Sequence, residues 1–283
     1  MKVLITGAGG FVGNHLTEFL SKKNIFIYAL INKTRLKKKR NVTYIKKNIN
    51  KLKTLPNGID CIVHLAVKNP EDTSGKILFK ENIKMTKKIF SLAKKYDVKK
   101  IIFFSSIAVY ENIKKTTIKD NIKLIKPNSY YAISKFKCEK ILRNEFRKTS
   151  VSTITIRLPS IIGKGSRFNS ISDIKKKILN RKRIFIYNPN LNYNRVIHIS
   201  NLNKFIFKIL KSKKKIKTTF HLGSSKPIPF KKAILLMFKF LKRKTKVDLQ
   251  VDKKTQILDI SRAQKFGFTA SSVEQTLKKY LSD

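Results

Sequence analysis

What this chain has least of is negative charge. Its 16 Asp and Glu stand against 65 Lys and Arg, a formal net charge of +49 in 283 residues. Charge of that size bears on partners and solubility, not on fold. The basic runs at Lys33–Arg40, Lys175–Arg183, Lys211–Lys217 and Lys242–Lys246 are spread along the chain, and none alternates with aromatic residues as a single-strand nucleic-acid binder requires. A basic drift of an ordinary surface therefore fits better than a nucleic-acid site, with an anionic partner recruited by charge kept as a rival.

Cysteine and histidine are nearly as scarce. Cys61 and Cys138 are far apart, and four scattered His lack metal-ligand spacing, so neither a disulfide framework nor a metal site is expected. No apolar run approaches the roughly 18 residues of a membrane span. Met1–Ile5 is too short for a signal-peptide core, and a soluble cytoplasmic protein is the expectation. The length suits one large α/β domain with a smaller appendage.

Glycine is scarce too, 10 in all, yet Gly7, Gly9, Gly10 and Gly13 crowd the start of the chain. Val3, Leu4 and Ile5 suit a buried strand, and from Asn14 the spacing turns helical, with Leu16, Phe19 and Leu20 on one face. Strand, glycine turn and helix in that order describe a dinucleotide site. Gly7 serves the tight bend, Gly10 the close approach of a pyrophosphate and Gly13 the packing of helix on sheet, while Phe11 and Val12 open the helix toward the anion.

Ile25–Ile31, Val42–Ile45, Ile59–Ala66 and Ile101–Phe104 read as further strands, with helical spacing over Lys80–Ala93. This alternation is the pattern of an α/β fold, a doubly wound parallel (Rossmann) sheet. An acid about 20 residues past the glycines would hold the ribose hydroxyls of NAD(H). Here Asn32-Lys33-Thr34-Arg35 offers no acid, and Arg35 suits a 2′-phosphate, so NADP(H) is slightly favoured over NAD(H). Asn48 and Ile49 follow the third strand as candidates for the adenine edge. Leu65 and small Ala66 end the fourth beside the cofactor, and His64, inside that strand, reads as structural.

Ser105 and Ser106 stand at the carboxyl end of the fifth strand, where such sheets bind ligands. Further on, Tyr131 and Lys135 are i and i+4 of a predicted helix, so both side chains share one face. An ammonium near a phenol favours the phenolate. Such a tyrosine takes a proton from a carbinol as hydride leaves, or returns it to a carbonyl.

Thr6–Gly13, His64–Ala66, Ser105–Tyr110 and Tyr131–Lys135, taken as a set, resemble the extended short-chain dehydrogenase/reductase superfamily, and within it the NAD(P)-dependent nucleotide-sugar epimerase/dehydratase branch. The resemblance continues through Ile154–Gly163, Asn194–Leu202, Phe220–Gly223, Asp259–Phe268 and Val273–Leu281. It implies a dinucleotide-binding domain over 1–163 and a smaller C-terminal substrate-binding lobe over 164–283, with 194–222 returning to the sheet. It also implies roles: Ser106 hydrogen-bonds the substrate oxygen, Tyr131 is the acid/base, and Lys135 binds the nicotinamide ribose and tunes Tyr131. Asn82 lies near the substrate, and Arg195 grips the nucleotide diphosphate. A homodimer through the helices near 80–93 and 131–146 is implied in the same way.

The sequence departs from the branch in places. Asn48 replaces a common aspartate, and Ser200-Asn201 replaces paired acids. Ile107 and Ala108 follow Ser106 where dehydratases carry acids for elimination, which disfavours dehydration. The expected function is an oxidoreductase or epimerase moving hydride at a carbon of a nucleotide-linked sugar, C4 in particular. The rivals are a non-catalytic NADP(H)-binding sensor of the same fold and the binder of nucleic acid or anionic surfaces.

Overall fold

The computed structural model describes residues 1–32, 34, 36–69, 74–250 and 256–283. In chain order the first elements are β1 (Lys2–Thr6), α1 (Phe11–Ser21), β2 (Phe26–Ile31), β3 (Val42–Lys46), β4 (Cys61–His64), α2 (Gly75–Lys95) and β5 (Lys100–Ser106). They are followed by β6 (Thr117–Ile118), α3 (Tyr130–Phe146), β7 (Ser152–Leu158), β8 (Ser160–Ile162), α4 (Ser170–Leu179), β9 (Ile184–Tyr187), β10 (Asn192–Tyr193) and β11 (Val196–His198). The chain ends with α5 (Ile199–Lys211), β12 (Lys217–His221), β13 (Ile228–Pro229), α6 (Phe230–Leu241), β14 (Val247–Gln250), β15 (Ile257–Leu258), α7 (Ser261–Lys265) and α8 (Val273–Ser282).

Two compact units divide these elements. The first comprises 1–113, 123–157 and 207–220; the second comprises 114–122, 158–206 and 221–283. Residues 194–206 cluster with the second unit because β11 pairs with β8, outside the central sheet. Of the later chain, 207–220 belongs to the first unit, where β12 lies at the sheet edge.

The first unit is built on a seven-stranded sheet of order β12-β7-β5-β4-β1-β2-β3. The pairs β2–β3, β1–β2, β1–β4 and β4–β5 are parallel. Strand order reverses between β1 and β4, the switch point where sheets of this kind open a crevice at their carboxyl ends. Parallel strands covered on both faces read as unbroken apolar runs, as the fully buried Cys61–His64 and Ile101–Phe104 do. On α2 the buried positions Leu78, Asn82, Met85, Thr86, Ile89, Phe90 and Ala93 follow helical spacing, and lysines fill the outer face. Phe90, Phe103, Phe146, Ile62 and Leu142 belong to the core beneath.

The second unit has its own core around Ile174, Ile184, Ile186, Ile234, Met237 and Leu277. It carries the short ladders β8–β11, β9–β14 and β6–β15, all parallel, and the antiparallel β10–β13. The last helix is started by a capping box, Ser272 with Gln275.

Several cations donate to backbone carbonyls. In the first unit Lys100 Nζ donates to the carbonyl oxygens of Ile209, Leu210 and Ser212 at 2.8, 3.2 and 2.7 Å, closing the end of α5. Lys217 does the same for Arg147 and Thr149 beyond α3. In the second unit Arg243 reaches the Leu179 carbonyl at the end of α4, and Lys175 that of Tyr280 in α8. Helix C-termini leave orphan carbonyls and a partial negative charge, so these contacts suit both partners.

Candidate active site

The parallel register of β3, β2, β1, β4 and β5 puts their carboxyl ends on one edge of the sheet. Along that edge come Asn48, Asn32, the glycine turn, Leu65-Ala66 and Ser105-Ser106. Residues scattered over a hundred positions are thereby aligned by topology.

The glycines of the turn are not equivalent. A Cβ on Gly7, whose φ is +70°, would sit 2.8 Å from the Ala66 backbone, and one on Gly13 would sit 2.2 Å from the Gly7 carbonyl oxygen. Both are required by the protein's own packing. A Cβ on Gly10 would meet only the Gly7 oxygen, at 3.4 Å. Gly10 is also the N-cap of α1, and among the described residues no side chain caps that helix. Phe11, Val12 and Gly13 thus open a helix whose first N–H groups have no intrahelical partner, the arrangement that holds an anion. Thr6 Oγ1 accepts from Ala66 N at 3.2 Å and lies 2.7 Å from His64 Nδ1, while His64 Nε2 lies 3.2 Å from Thr86 Oγ1. The turn is braced against β4 and α2 by this relay. Burial, aided by the charge of Lys135, pushes His64 down to about 3, so its ring is neutral and structural.

Lys135 is 5% exposed. Its Nζ donates to the Phe104 carbonyl oxygen at 2.7 Å, lies 5.3 Å from the Phe103 ring centroid and 6.0 Å from that of Tyr131. Burial pushes the ammonium down to about 8, against the opposing pull of Cys138 and Glu139. Ser106 ends β5 and caps the 3-10 turn Ile107–Tyr110, its Oγ accepting from Ala108 N at 3.2 Å. Helix α3 starts at Tyr130 under the Ser129 cap, so Tyr131 stands in its first turn and Lys135 one turn on. The Ser105 hydroxyl is buried and meets no hydrogen-bond partner among the described residues. An uncapped helix behind an open glycine, and an orphaned hydroxyl beside Ser106, are features a bound nicotinamide dinucleotide fits.

Other expected residues fare differently. Asn82 is 4% exposed, with Oδ1 accepting from Lys68 N at 2.8 Å and Nδ2 donating to Lys68 O and Ser134 Oγ, both at 3.2 Å. Its amide ties the loop after β4 to α2 and α3. Ile49 is buried in the core, and Asn48 is exposed with Oδ1 accepting from Asn50 N. Asn32 is exposed at the end of β2, and Arg35 lies outside the described residues. Arg195 belongs to the second unit, half-buried beside β11.

Sequence periodicity leaves one cluster unassigned. Arg157 on β7 donates through Nε to Glu139 Oε1 at 2.9 Å and through a terminal nitrogen to Oε2 at 2.7 Å. Its other terminal nitrogen donates to Tyr110 Oη at 3.0 Å. Burial works against the guanidinium's charge, but the hydrogen bond and charge of Glu139 outweigh it and raise the pKa. The signal that could reveal it is an arginine inside an apolar strand, which must be paired to be buried.

A glycine turn opens an uncapped helix, β5 ends in Ser106, and α3 carries Tyr131 and buried Lys135; the class this fold defines is a doubly wound, dinucleotide-binding α/β protein. Residues 3–223 match the model of the NAD dependent epimerase/dehydratase family, and the chain belongs to that family. An uncharacterized protein of Methanocaldococcus jannaschii is 26% identical over 98% of this chain and 94% of its own length. The N-acetyl-alpha-D-glucosaminyl-diphospho-ditrans,octacis-undecaprenol 4-epimerase of Escherichia coli O157:H7 is 29% identical over 72% of this chain and 61% of its own. Among solved structures, MoeE5 in complex with UDP-glucuronic acid and NAD superposes with a TM-score of 0.86 at 20% identity, over 100% of this chain and 98% of that one. The UDP-N-acetylglucosamine 4-epimerase of Methanobrevibacter ruminantium gives 0.84 at 22%, over 99% and 97%. The fold is therefore α/β, with the doubly wound sheet of this superfamily.

Proposed function

We propose that this protein is a nicotinamide-dependent epimerase or oxidoreductase of a nucleotide-linked sugar, acting at C4 of a hexose carried on UDP. The observation that supports it most directly is the Lys135 ammonium, buried and anchored to Phe104 O two residues before Ser106, with Tyr131 one helical turn away. The Escherichia coli relative is a 4-epimerase by name; among the solved neighbours, MoeE5 carries UDP-glucuronic acid with NAD, and the Methanobrevibacter ruminantium epimerase carries UDP-N-acetylmuramic acid.

In this reading the glycine turn and the start of α1 hold the dinucleotide pyrophosphate, and Lys135 holds the nicotinamide ribose. The cofactor supplies hydride exchange. The Ser106 hydroxyl hydrogen-bonds the reacting sugar oxygen, and the Tyr131 phenolic oxygen takes that oxygen's proton as C–H is oxidised and gives it back on reduction. The Lys135 charge favours the phenolate. Ile107 and Ala108 supply no acid for elimination, so epimerisation or simple reduction is proposed over dehydration. Arg195 is proposed to grip the substrate diphosphate. NAD(H), which MoeE5 carries, is the proposed cofactor in place of the NADP(H) that the sequence slightly favours. NADP(H) is tolerated, since Asn32 presents no charge against a 2′-phosphate. A homodimer in the cytoplasm completes the proposal, to be checked by light scattering and fractionation.

The test is turnover of UDP-glucose, UDP-glucuronic acid and UDP-N-acetylglucosamine with each cofactor. Tyr131→Phe is expected to abolish turnover and to leave the cofactor dissociation constant within about threefold. Undiminished turnover by that variant sinks the mechanism.

A further inference from the structure

The Arg157 cluster takes no part in the chemistry just described, yet it touches both halves of it. Tyr110 closes the 3-10 turn that Ser106 opens. Glu139 lies one helical turn beyond Lys135 and two beyond Tyr131, on the same face of α3. Arg157 holds both, with Nε and one terminal nitrogen on the carboxylate and the other terminal nitrogen on the phenol. All three residues are under 5% exposed. The next residue repeats the link from outside, since Glu111 Oε2 accepts from the backbone N of Asn128 and Ser129 at 2.8 and 3.0 Å, at the start of α3.

We propose that Arg157 is a positioning residue that fixes the Ser106 turn against the Tyr131–Lys135 face of α3 by gripping Tyr110 and Glu139 together. The proposal rests on the functional reading above. Stability alone does not account for the cluster, because a buried ion pair is often no more stabilising than apolar residues of the same volume. What an ion pair with a third, directional bond adds is a unique geometry, and only a planar guanidinium offers donors in the required fork. Serine and tyrosine arrive on separate segments, so their spacing needs a common reference, and displacement of about 1 Å can slow an enzyme by up to a hundredfold.

The test uses Tyr110→Phe, which deletes one hydroxyl and leaves the Arg157–Glu139 pair intact, and Arg157→Lys, which keeps the charge and loses the fork. Tyr110→Phe is expected to stay folded with a melting temperature lowered by a few degrees, because one Arg157 N–H loses its acceptor, and to lower kcat roughly tenfold, with KM for the UDP-sugar and the cofactor dissociation constant within about twofold. Arg157→Lys is expected to lower kcat further. In the cofactor-free Tyr110→Phe protein, amide hydrogen exchange is expected to accelerate in 106–110 and 131–135 together, though neither Tyr131 nor Lys135 is altered. Folded Tyr110→Phe with wild-type kcat overturns the proposal. So does unchanged exchange at 131–135, or a fall in kcat matched by equal weakening of both ligands. If the wild-type protein turns over no sugar, the functional reading fails, and the exchange measurement alone decides whether the cluster couples the two segments.

Discussion

The Nζ of Lys135 donates a 2.7 Å hydrogen bond to the carbonyl oxygen of Phe104, so one residue of α3 is fastened to the strand that delivers Ser106. The ammonium is held in a site that disfavours its charge, and burial brings it down to about 8. In the proposed mechanism, the group that lends charge to the phenol is thus poised to lose that charge just above neutral pH.

In the proposed mechanism this sets the alkaline limb of activity. The protonated amine supports the phenolate, so kcat/KM is expected to fall as pH rises through about 8. Lys135→Arg keeps its charge throughout the range and should lose that inflection, at a lower overall rate. A kcat/KM profile from pH 6 to 10 checks this, and a wild-type profile flat through 8 contradicts it.

The glycines can be separated by substitution. Gly13→Ala drives a Cβ into the Gly7 carbonyl oxygen and is expected to destabilise the fold by about 1–3 kcal/mol. Gly10→Ala meets nothing closer than 3.4 Å and should leave the melting temperature unchanged while weakening the dinucleotide at least tenfold. Calorimetry with cofactor titration distinguishes the two. Equal effects on stability would mean that Gly10 serves the fold rather than the ligand.

Stability should fall with acid because of His64. Its folded pKa is depressed from 6.5 to about 3, so the unfolded state binds the proton first. The stability it contributes is complete above about pH 6.5 and is lost as pH falls toward 3. From pH 7 to 5 the loss is about 2 kcal/mol. His64→Gln should flatten that part of the profile, as read from urea midpoints at the two pH values. An identical slope in the variant would assign the acid lability to other groups.

Lys100 closes the end of α5 with three carbonyls, and Lys100→Met is expected to cost about 1–2 kcal/mol. Substituting exposed Lys80 on the outer face of α2 should cost less than about 0.5 kcal/mol. Thermal unfolding of the pair checks whether cations at helix ends differ from the rest. Equal shifts would show that they do not.

Much of the sheet is legible in the sequence because buried parallel strands announce themselves as short apolar runs. Val3–Ile5, Cys61–Val63 and Ile101–Phe104 are such runs, and β1, β4 and β5 contain them. Tyr131 and Lys135 are legible because i and i+4 on a helix fix a shared face without any knowledge of tertiary contacts. The part played by Asn82 is not legible, since an amide 14 positions from the loop it ties carries no local pattern.

The sequence by itself determined the local events: where the chain extends, where glycine lets it turn, and which side chains a helix presents together. Only the tertiary structure decided which charges meet. With 65 cations and 16 acids, no pairing can be read from order alone, and Arg157 finds Glu139 18 positions away and Tyr110 47 away. The physical reason is that burial makes a lone charge intolerable, so the fold must bring a partner to it, and which partner depends on how strands and helices are stacked.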